Sequence, residues 1–172
     1  PPRTTRNRGV FPRGIMSGGT VVVTGGAARI GKHISLALAK SGFSVAVHYF
    51  SSENEAKELV SEIQSSGGNA THIQSDLSNP KSASEIISIA ENSLGPVTGL
   101  VNNASMFSHD DITTISEDSW AGHMEVNALS PILLIGELVR RLPDGNGGSI
   151  VNILDQKVAQ PNPDHLSYTA SR

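Results

Sequence analysis

The sequence contains no cysteine, which excludes a disulfide framework and any thiolate metal site and fits a reducing, cytoplasmic setting. It has no apolar run near the roughly 20 residues that a membrane-spanning helix needs, so no membrane partner is expected. No segment repeats elsewhere in the chain, which sets aside solenoids and arrays. The first fifteen residues, PPRTTRNRGVFPRGI, hold Arg3, Arg6, Arg8 and Arg13 and no acid. Such a stretch reads either as a disordered basic leader, of the kind that forms transit peptides and nucleic-acid arms, or as upstream sequence before a start at Met16. From Met16 onward nine basic side chains face sixteen acidic ones, a balance of −7. That balance argues against nucleic acid as a partner of the globular part. Residues 16–172 are long enough for one domain with a real core.

What is present is an alternation of apolar strands and amphipathic helices. TVVVTG (20–25) is a β-branched run ending in glycines, hence a strand and a turn. Ile30, Ile34, Ala37 and Leu38 follow at helical spacing, and Gly42 closes that helix. SVAVHY is a second strand, and Ala56, Leu59, Val60 and Ile63 mark the next helix before Gly67-Gly68. ATHIQSD is a third strand, and a helix opened by Pro80 runs through Ile86, Ile87, Ala90 and Leu94. TGLVNNAS holds a fourth strand and its loop. One long helix is expected from about Glu117 to Leu142, and GSIVNIL is a fifth strand. This alternation implies βαβ units and a doubly wound, Rossmann-like parallel α/β sheet, with its ligand at the carboxyl ends of the strands.

The loop TGGAARIG (Thr24–Gly31) joins the first strand to the first helix. Gly25 and Gly31 permit backbone approaches that a Cβ would block, and the helix beyond them offers free N–H groups to a pyrophosphate. A carboxylate closing the second strand would hold a ribose 2′-hydroxyl. None occurs here: the stretch reads His48-Tyr49-Phe50-Ser51-Ser52, with the first acid at Glu53. Arg29 in the glycine loop and the hydroxyls of Ser51 and Ser52 suit a 2′-phosphate, so NADP(H) is the expected cofactor. A solvated arginine and an ordinary serine turn form the plainer alternative.

With these residues the chain resembles the short-chain dehydrogenase/reductase family over nearly everything from Met16 on. The glycine loop, the Asp of "SDL" (Asp76, followed by Leu77), Asn102-Asn103-Ala104, Asn127 and the Tyr168-to-172 spacing match the family's motifs in order. The resemblance implies cofactor contacts from Gly25, Arg29, Ile30 and Gly31, from His48, Tyr49, Ser51 and Ser52, and from Asp76, Leu77, Asn103 and Ala104. Within the family the chain looks most like the pteridine reductases. These carry Arg in the glycine loop, as at Arg29, and Asn-Asn-Ala-Ser, as at 102–105. An aromatic two residues later stacks on the pterin, as Phe107 would, and Asp replaces the usual Ser thirteen residues before the Tyr, as Asp155 does. The resemblance therefore implies a pterin-like small-molecule substrate touching Arg29, Ser105, Phe107, Asp155 and Tyr168, no metal, and a homo-oligomeric parent enzyme.

The chemistry of these residues is coherent. An ionised Asp only accepts hydrogen bonds, so Asp155 would repel a ketone oxygen yet suit the ring N–H and amino donors of a dihydropterin. It would also pass on a proton if burial raised its pKa. Capping of the following turn is its alternative use. Tyr168 is the expected proton donor, its phenol tuned by a cation one helical turn away. That cation is Arg172, where the family has Lys. Arg keeps the charge, is bulkier and planar, and cannot lose its proton. Pro131 has no N–H to offer the Asn127 carbonyl in a helix. In the family a water on that carbonyl carries protons to solvent, and a kinked core helix is the plainer reading.

His109, Asp110 and Asp111 read as a solvated loop on the substrate side, with no second cluster to complete a metal site. His33, His48, His72, His123 and His165 show no ligand spacing, and Met106 either lines the substrate pocket or packs beneath it. Leu129, Leu133 and Leu138 suit a subunit interface or a buried face equally. Because the family fold continues with two more strands and a lid, the expectation is a fold cut after its fifth strand, with its carboxyl-terminal part missing and little turnover of its own. The expected activity of the parent is NADPH-dependent reduction of a dihydropterin or related pteridine. A reductase for another carbonyl or imine, and a non-catalytic nucleotide-binding remnant, stand as alternatives.

Overall fold

A computed structural model describes residues 18–142 and 147–172; the basic start and Met16 lie outside the described residues. Five parallel strands form one sheet in the order β3-β2-β1-β4-β5. They are β1 (Thr20–Val23), β2 (Ser44–Tyr49), β3 (Ala70–Gln74), β4 (Val97–Asn102) and β5 (Ser149–Asn152). Between them run α1 (Arg29–Lys40), α2 (Glu53–Ser65), α3 (Ser82–Leu94), α4 (Glu117–Met124) and α5 (Ser130–Arg141), and α6 (Leu166–Ser171) follows β5. β2 coincides with SVAVHY, whereas β3, β4 and β5 end before the last residues of their runs, which build the loops.

The two faces of the sheet follow the period of two along each strand. Val21, Val23, Val45 and Val47 point to one side and pack with Leu59, Val60 and Ile63 of α2. Val22, Ala46 and Leu100 point to the other, against Ile86 and Ile87 of α3 and Leu134 and Leu138 of α5. Fully burying each of these Val, Leu and Ile side chains contributes about 1.5–3 kcal/mol, so both helical layers are strongly held. The leucines of the long helix divide: Leu138 is buried in this core, whereas Leu129 is partly exposed, at 42%. β5 pairs with β4 from Gly99↔Ser149 to Asn102↔Asn152, yet all four of its residues are exposed.

The long helix differs from its sequence reading. Glu125–Leu129 forms a π-helical turn between α4 and α5, in which the Ser130 N–H donates to the Glu125 carbonyl. The proline ring of residue 131 would clash with the Asn127 carbonyl in an unbroken α-helix. A widened turn just upstream accommodates it where a kink was expected. No described helix is long and apolar enough to cross a membrane.

Candidate active site

The chain runs from β1 outward to β2 and β3, then returns through α3 to β4 on the other side of β1. The carboxyl ends of β1 and β4 therefore part around a topological switch point, where such sheets bind ligands. A cleft of about 880 Å³ opens there. Gly25, His48, Tyr49, Ser51 and Ser52 line one side, and Asp76, Leu77, Ala104 and Ser105 line another. Gly31 and Asn103 pack against Gly25 behind that wall, and Arg29 and Ile30 are exposed at the start of α1.

The glycine loop is held by hydrogen bonds from three directions. Asn103 Nδ2 donates to the carbonyls of Thr24 and Gly25, both at 3.0 Å. The Thr24 hydroxyl accepts from the backbone N–H groups of Asn103 and Ala104, again at 3.0 Å. The Gly25 N–H donates to His48 Nδ1 at 3.2 Å, and His48 Nε2 donates to the Ser75 carbonyl at 3.1 Å. A Cβ on Gly31 would lie 2.0 Å from the Gly25 carbonyl oxygen, so only glycine fits that approach. Asn103 and His48, expected as cofactor contacts, are thus first of all supports of the loop. Burial lowers the His48 pKa to about 4, outweighing the Ser75 carbonyl and the Asp76 carboxylate that pull it upward. The imidazole is neutral at physiological pH, as its role as acceptor from Gly25 requires.

Arg29 is exposed and begins α1 with φ +50, a left-handed conformation that costs a non-glycine residue about 1–2 kcal/mol. Ser51 is exposed, Ser52 precedes α2, and no carboxylate joins them at the end of β2. Asp76 accepts from the Ser78 N–H and hydroxyl through Oδ1 alone, at 2.9 and 2.8 Å.

A second cluster gathers beyond β4 and β5. The Tyr168 hydroxyl donates to Asp155 Oδ2 at 3.2 Å, while Asp155 Oδ1 accepts from the Lys157 N–H at 2.9 Å. The capping use of Asp155 is present, with one oxygen on the turn at Gln156–Val158 and the other facing the Tyr168 phenol. The condition under which Asp155 would pass on a proton, a pKa raised by burial, is not met. The Lys157 N–H, followed by the Tyr168 hydroxyl and the charges of Lys157 and Arg172, holds its carboxyl below the ordinary value. Nor does the cation win at Tyr168. Desolvation, with Asp155 adding to it, raises the phenol pKa against the pull of Arg172. Tyr168 is therefore a buried, protonated phenol beside an ionised carboxylate.

Arg172 spends its guanidinium largely on backbone. It donates to the carbonyls of Ile153 and Ala104, the latter at 3.5 Å, and its Cζ lies 5.7 Å from the Tyr168 ring centroid. Asn127 is a clip. Its Oδ1 accepts from the Met106 N–H at 2.8 Å, and its Nδ2 donates to the Met106 carbonyl at 3.0 Å and to the Ser171 hydroxyl at 2.9 Å. Phe107 stacks on His165 with ring centroids 4.3 Å apart and meets Tyr168 edge-on at 4.7 Å. His165, for which the sequence offered only an absence of ligand spacing, is thus part of the cluster.

Other residues of the cleft wall were not singled out in the sequence: Phe50, Ala28 and, from the long helix, Asp118, Gly122 and Glu125. The spacing 118, 122, 125 puts the last three on one helical face, a signal open to inspection but masked by mixed polarity. Met106 lines the cleft and packs on Gly122, where a Cβ would meet its sulfur at 3.0 Å.

With this geometry in place the chain can be set beside known proteins. The short chain dehydrogenase family model matches residues 19–172. The chain belongs to the short-chain dehydrogenase/reductase family. It is 32% identical over 165 residues to a short-chain type dehydrogenase/reductase of Picea abies, covering 91% of this chain and 61% of that one. The crystal structure of FolM alternative dihydrofolate reductase 1 from Brucella canis, complexed with NADP, superposes with a TM-score of 0.86 at 39% identity, covering 90% of this chain and 61% of that one. The landomycin C-6 ketoreductase LanV, with bound NADP and rabelomycin, gives a TM-score of 0.82 at 27% identity over 90% of this chain and 65% of that one. The chain thus spans a little over three fifths of the length of these family members.

Proposed function

We propose that this chain carries the cofactor-binding and proton-donating part of an NADPH-dependent reductase acting on a dihydropterin-like ring. The fit to the cofactor rests on the cleft itself. Gly25 and Gly31 keep the loop low enough for a pyrophosphate, and Arg29, Ser51 and Ser52 supply a cation and hydroxyls where a ribose 2′-phosphate would lie. Asp76 and Leu77 would border the adenine, Tyr49 and Ala104 complete the walls with Ile30 outside them at the start of α1, and His48 and Asn103 keep the loop in shape. NADPH, when bound, supplies a hydride.

The observation that carries the substrate reading is the Tyr168–Asp155 pair. A raised phenol pKa keeps the proton on Tyr168 Oη at neutral pH, where a general acid must hold it. The ionised Asp155 accepts from ring N–H and amino donors, as a pterin presents, and repels a bare carbonyl oxygen. Phe107, stacked on His165 and half exposed, would stack on a flat ring, with Ser105 and Arg29 as the further substrate contacts. Likeness to a FolM dihydrofolate reductase supports the same choice. Asn127 shapes the path by which Tyr168 regains its proton, and Arg172 fixes the end of β5 against the loop after β4.

Likeness to a ketoreductase favours a second reading, in which the substrate is a ketone and Asp155 is tolerated. The two separate in an NADPH-oxidation assay of the natural gene product with dihydropterins and small ketones. The pterin reading expects dihydropterin turnover that falls about tenfold or more in Phe107→Ala, the loss of a stacking platform. Ketone turnover with no dihydropterin rate would give the site to the second reading. NADPH binding with no turnover of either would make the protein a binder.

A further inference from the structure

His109, Asp110 and Asp111 read in sequence as one solvated loop, and the structure separates them. His109 is exposed. Asp111 folds back on its own turn, its Oδ1 accepting from the N–H groups and hydroxyls of Thr113 and Thr114. Asp110 is only 2% exposed. Removing a carboxylate from water is costly unless its lone pairs are occupied. Each oxygen of Asp110 has a donor. Oδ1 accepts from the Ser167 N–H at 3.0 Å and Oδ2 from the Ser119 hydroxyl at 2.9 Å, while its main-chain carbonyl accepts from the Leu166 N–H at 3.2 Å.

The receiving element cannot place itself. α6 has six residues, and the chain enters it through His165 at φ +57. A helix this short does not persist alone. Its position is imposed from outside at both ends: Asp110 grips the first turn, and Asn127 reaches the Ser171 hydroxyl in the last. Tyr168 sits between the two grips, directly after the residue that Asp110 holds. Asp110 itself does not line the cleft. Its second oxygen ties it to α4, where the Ser119 carbonyl also takes a hydrogen bond at 2.7 Å from Nδ1 of the buried His123. This fixed carboxylate joins the loop after β4, α4 and the start of α6 at one point.

We propose that Asp110 is a positioning residue for Tyr168, a buried clamp that sets the height and direction of the phenol at the reacting centre. Its kinetic part rests on Tyr168 being the proton donor; its mechanical part does not. In the natural gene product, Asp110→Ala is expected to lower kcat for dihydropterin reduction by roughly 10²-fold, as a misplacement near 1 Å can. The NADPH Kd stays within about twofold, since the cleft keeps its walls. Asp110→Asn still offers Oδ1 to Ser167 and an N–H to the Ser119 hydroxyl, so it restores most of the rate. Hydrogen–deuterium exchange across 165–172 reads the clamp without reference to any substrate. Amides of this segment lose protection by about tenfold or more in the Ala variant and regain it in the Asn variant. Unchanged exchange in Asp110→Ala overturns the clamp. Lost protection with native kcat and an intact proton donor overturns its role in positioning. If NADPH binding falls in step with kcat, or Asn is no better than Ala, Asp110 is a general stability element. If the unsubstituted protein reduces nothing, the functional reading fails while the exchange arm still decides the clamp.

Discussion

His48 shows how one buried side chain couples the cofactor loop to pH. With its pKa lowered to about 4 against an ordinary 6.5, it stays neutral in the fold, whereas in the unfolded chain it takes up a proton below pH 6.5. Its contribution to stability is fully present above 6.5 and drains away as pH falls toward 4, below which it changes no further. The 2.5-unit gap corresponds to about 3 kcal/mol. Denaturant titrations between pH 7 and 4 should show this loss, and His48→Gln, which can still accept from Gly25 and donate to Ser75, should flatten it. At Tyr168 the signs run the other way. Asp155 helps to raise the phenol pKa, so Asp155→Asn lowers it and the acid form disappears earlier as pH rises. The alkaline limb of the kcat profile should move to lower pH. An unmoved limb would mean that Tyr168 is not the titrating acid.

At the scale of elements, strands and helices were legible because each apolar run kept one period and ended at a glycine or a polar turn. The carboxyl-end placement of the motifs followed from topology alone. The missing pieces share one physical trait, dependence on partners far along the chain. No periodicity reveals that Pro131 is met by a π turn, that Asp110 is buried beneath α6, or that Asn127 clips Met106 to Ser171. Nor does residue type alone fix the pKa directions of Asp155 and Tyr168, which follow from Lys157 and from desolvation. Asn127→Ala tests the clip. It removes three hydrogen bonds and leaves the Met106 N–H and carbonyl to find other partners, at about 2–3 kcal/mol given 0.5–1.5 kcal/mol per bond. Chemical denaturation measures that loss, and Asn127→Asp, whose second carboxylate oxygen would face the Met106 carbonyl in a buried site, should lose at least as much.

For the whole molecule, the cleft gathers its wall from segments that lie far apart in sequence, so filling it links β1, β2, β3 and the loop after β4. A ligand that binds only the folded state stabilises it by RT ln(1 + [L]/Kd), about 2.7 kcal/mol at a hundredfold excess over Kd. For a protein of 150–250 residues this raises Tm by about 5–10 °C. NADPH should produce such a rise in a thermal melt, and NADH at the same concentration a smaller one, since Arg29, Ser51 and Ser52 would have no 2′-phosphate to hold. Arg29→Gly sharpens the test because its two effects oppose each other. Relief of the left-handed backbone, offset by glycine's greater freedom when unfolded, raises the ligand-free Tm slightly, by about 0.5–1 kcal/mol of stability. The NADPH increment shrinks toward that of NADH because the cation is gone. A variant that melts higher alone yet gains no more from NADPH than from NADH would place the phosphate on Arg29. Equal increments from both cofactors before the substitution would remove the preference altogether, and would make the arginine a strained surface residue.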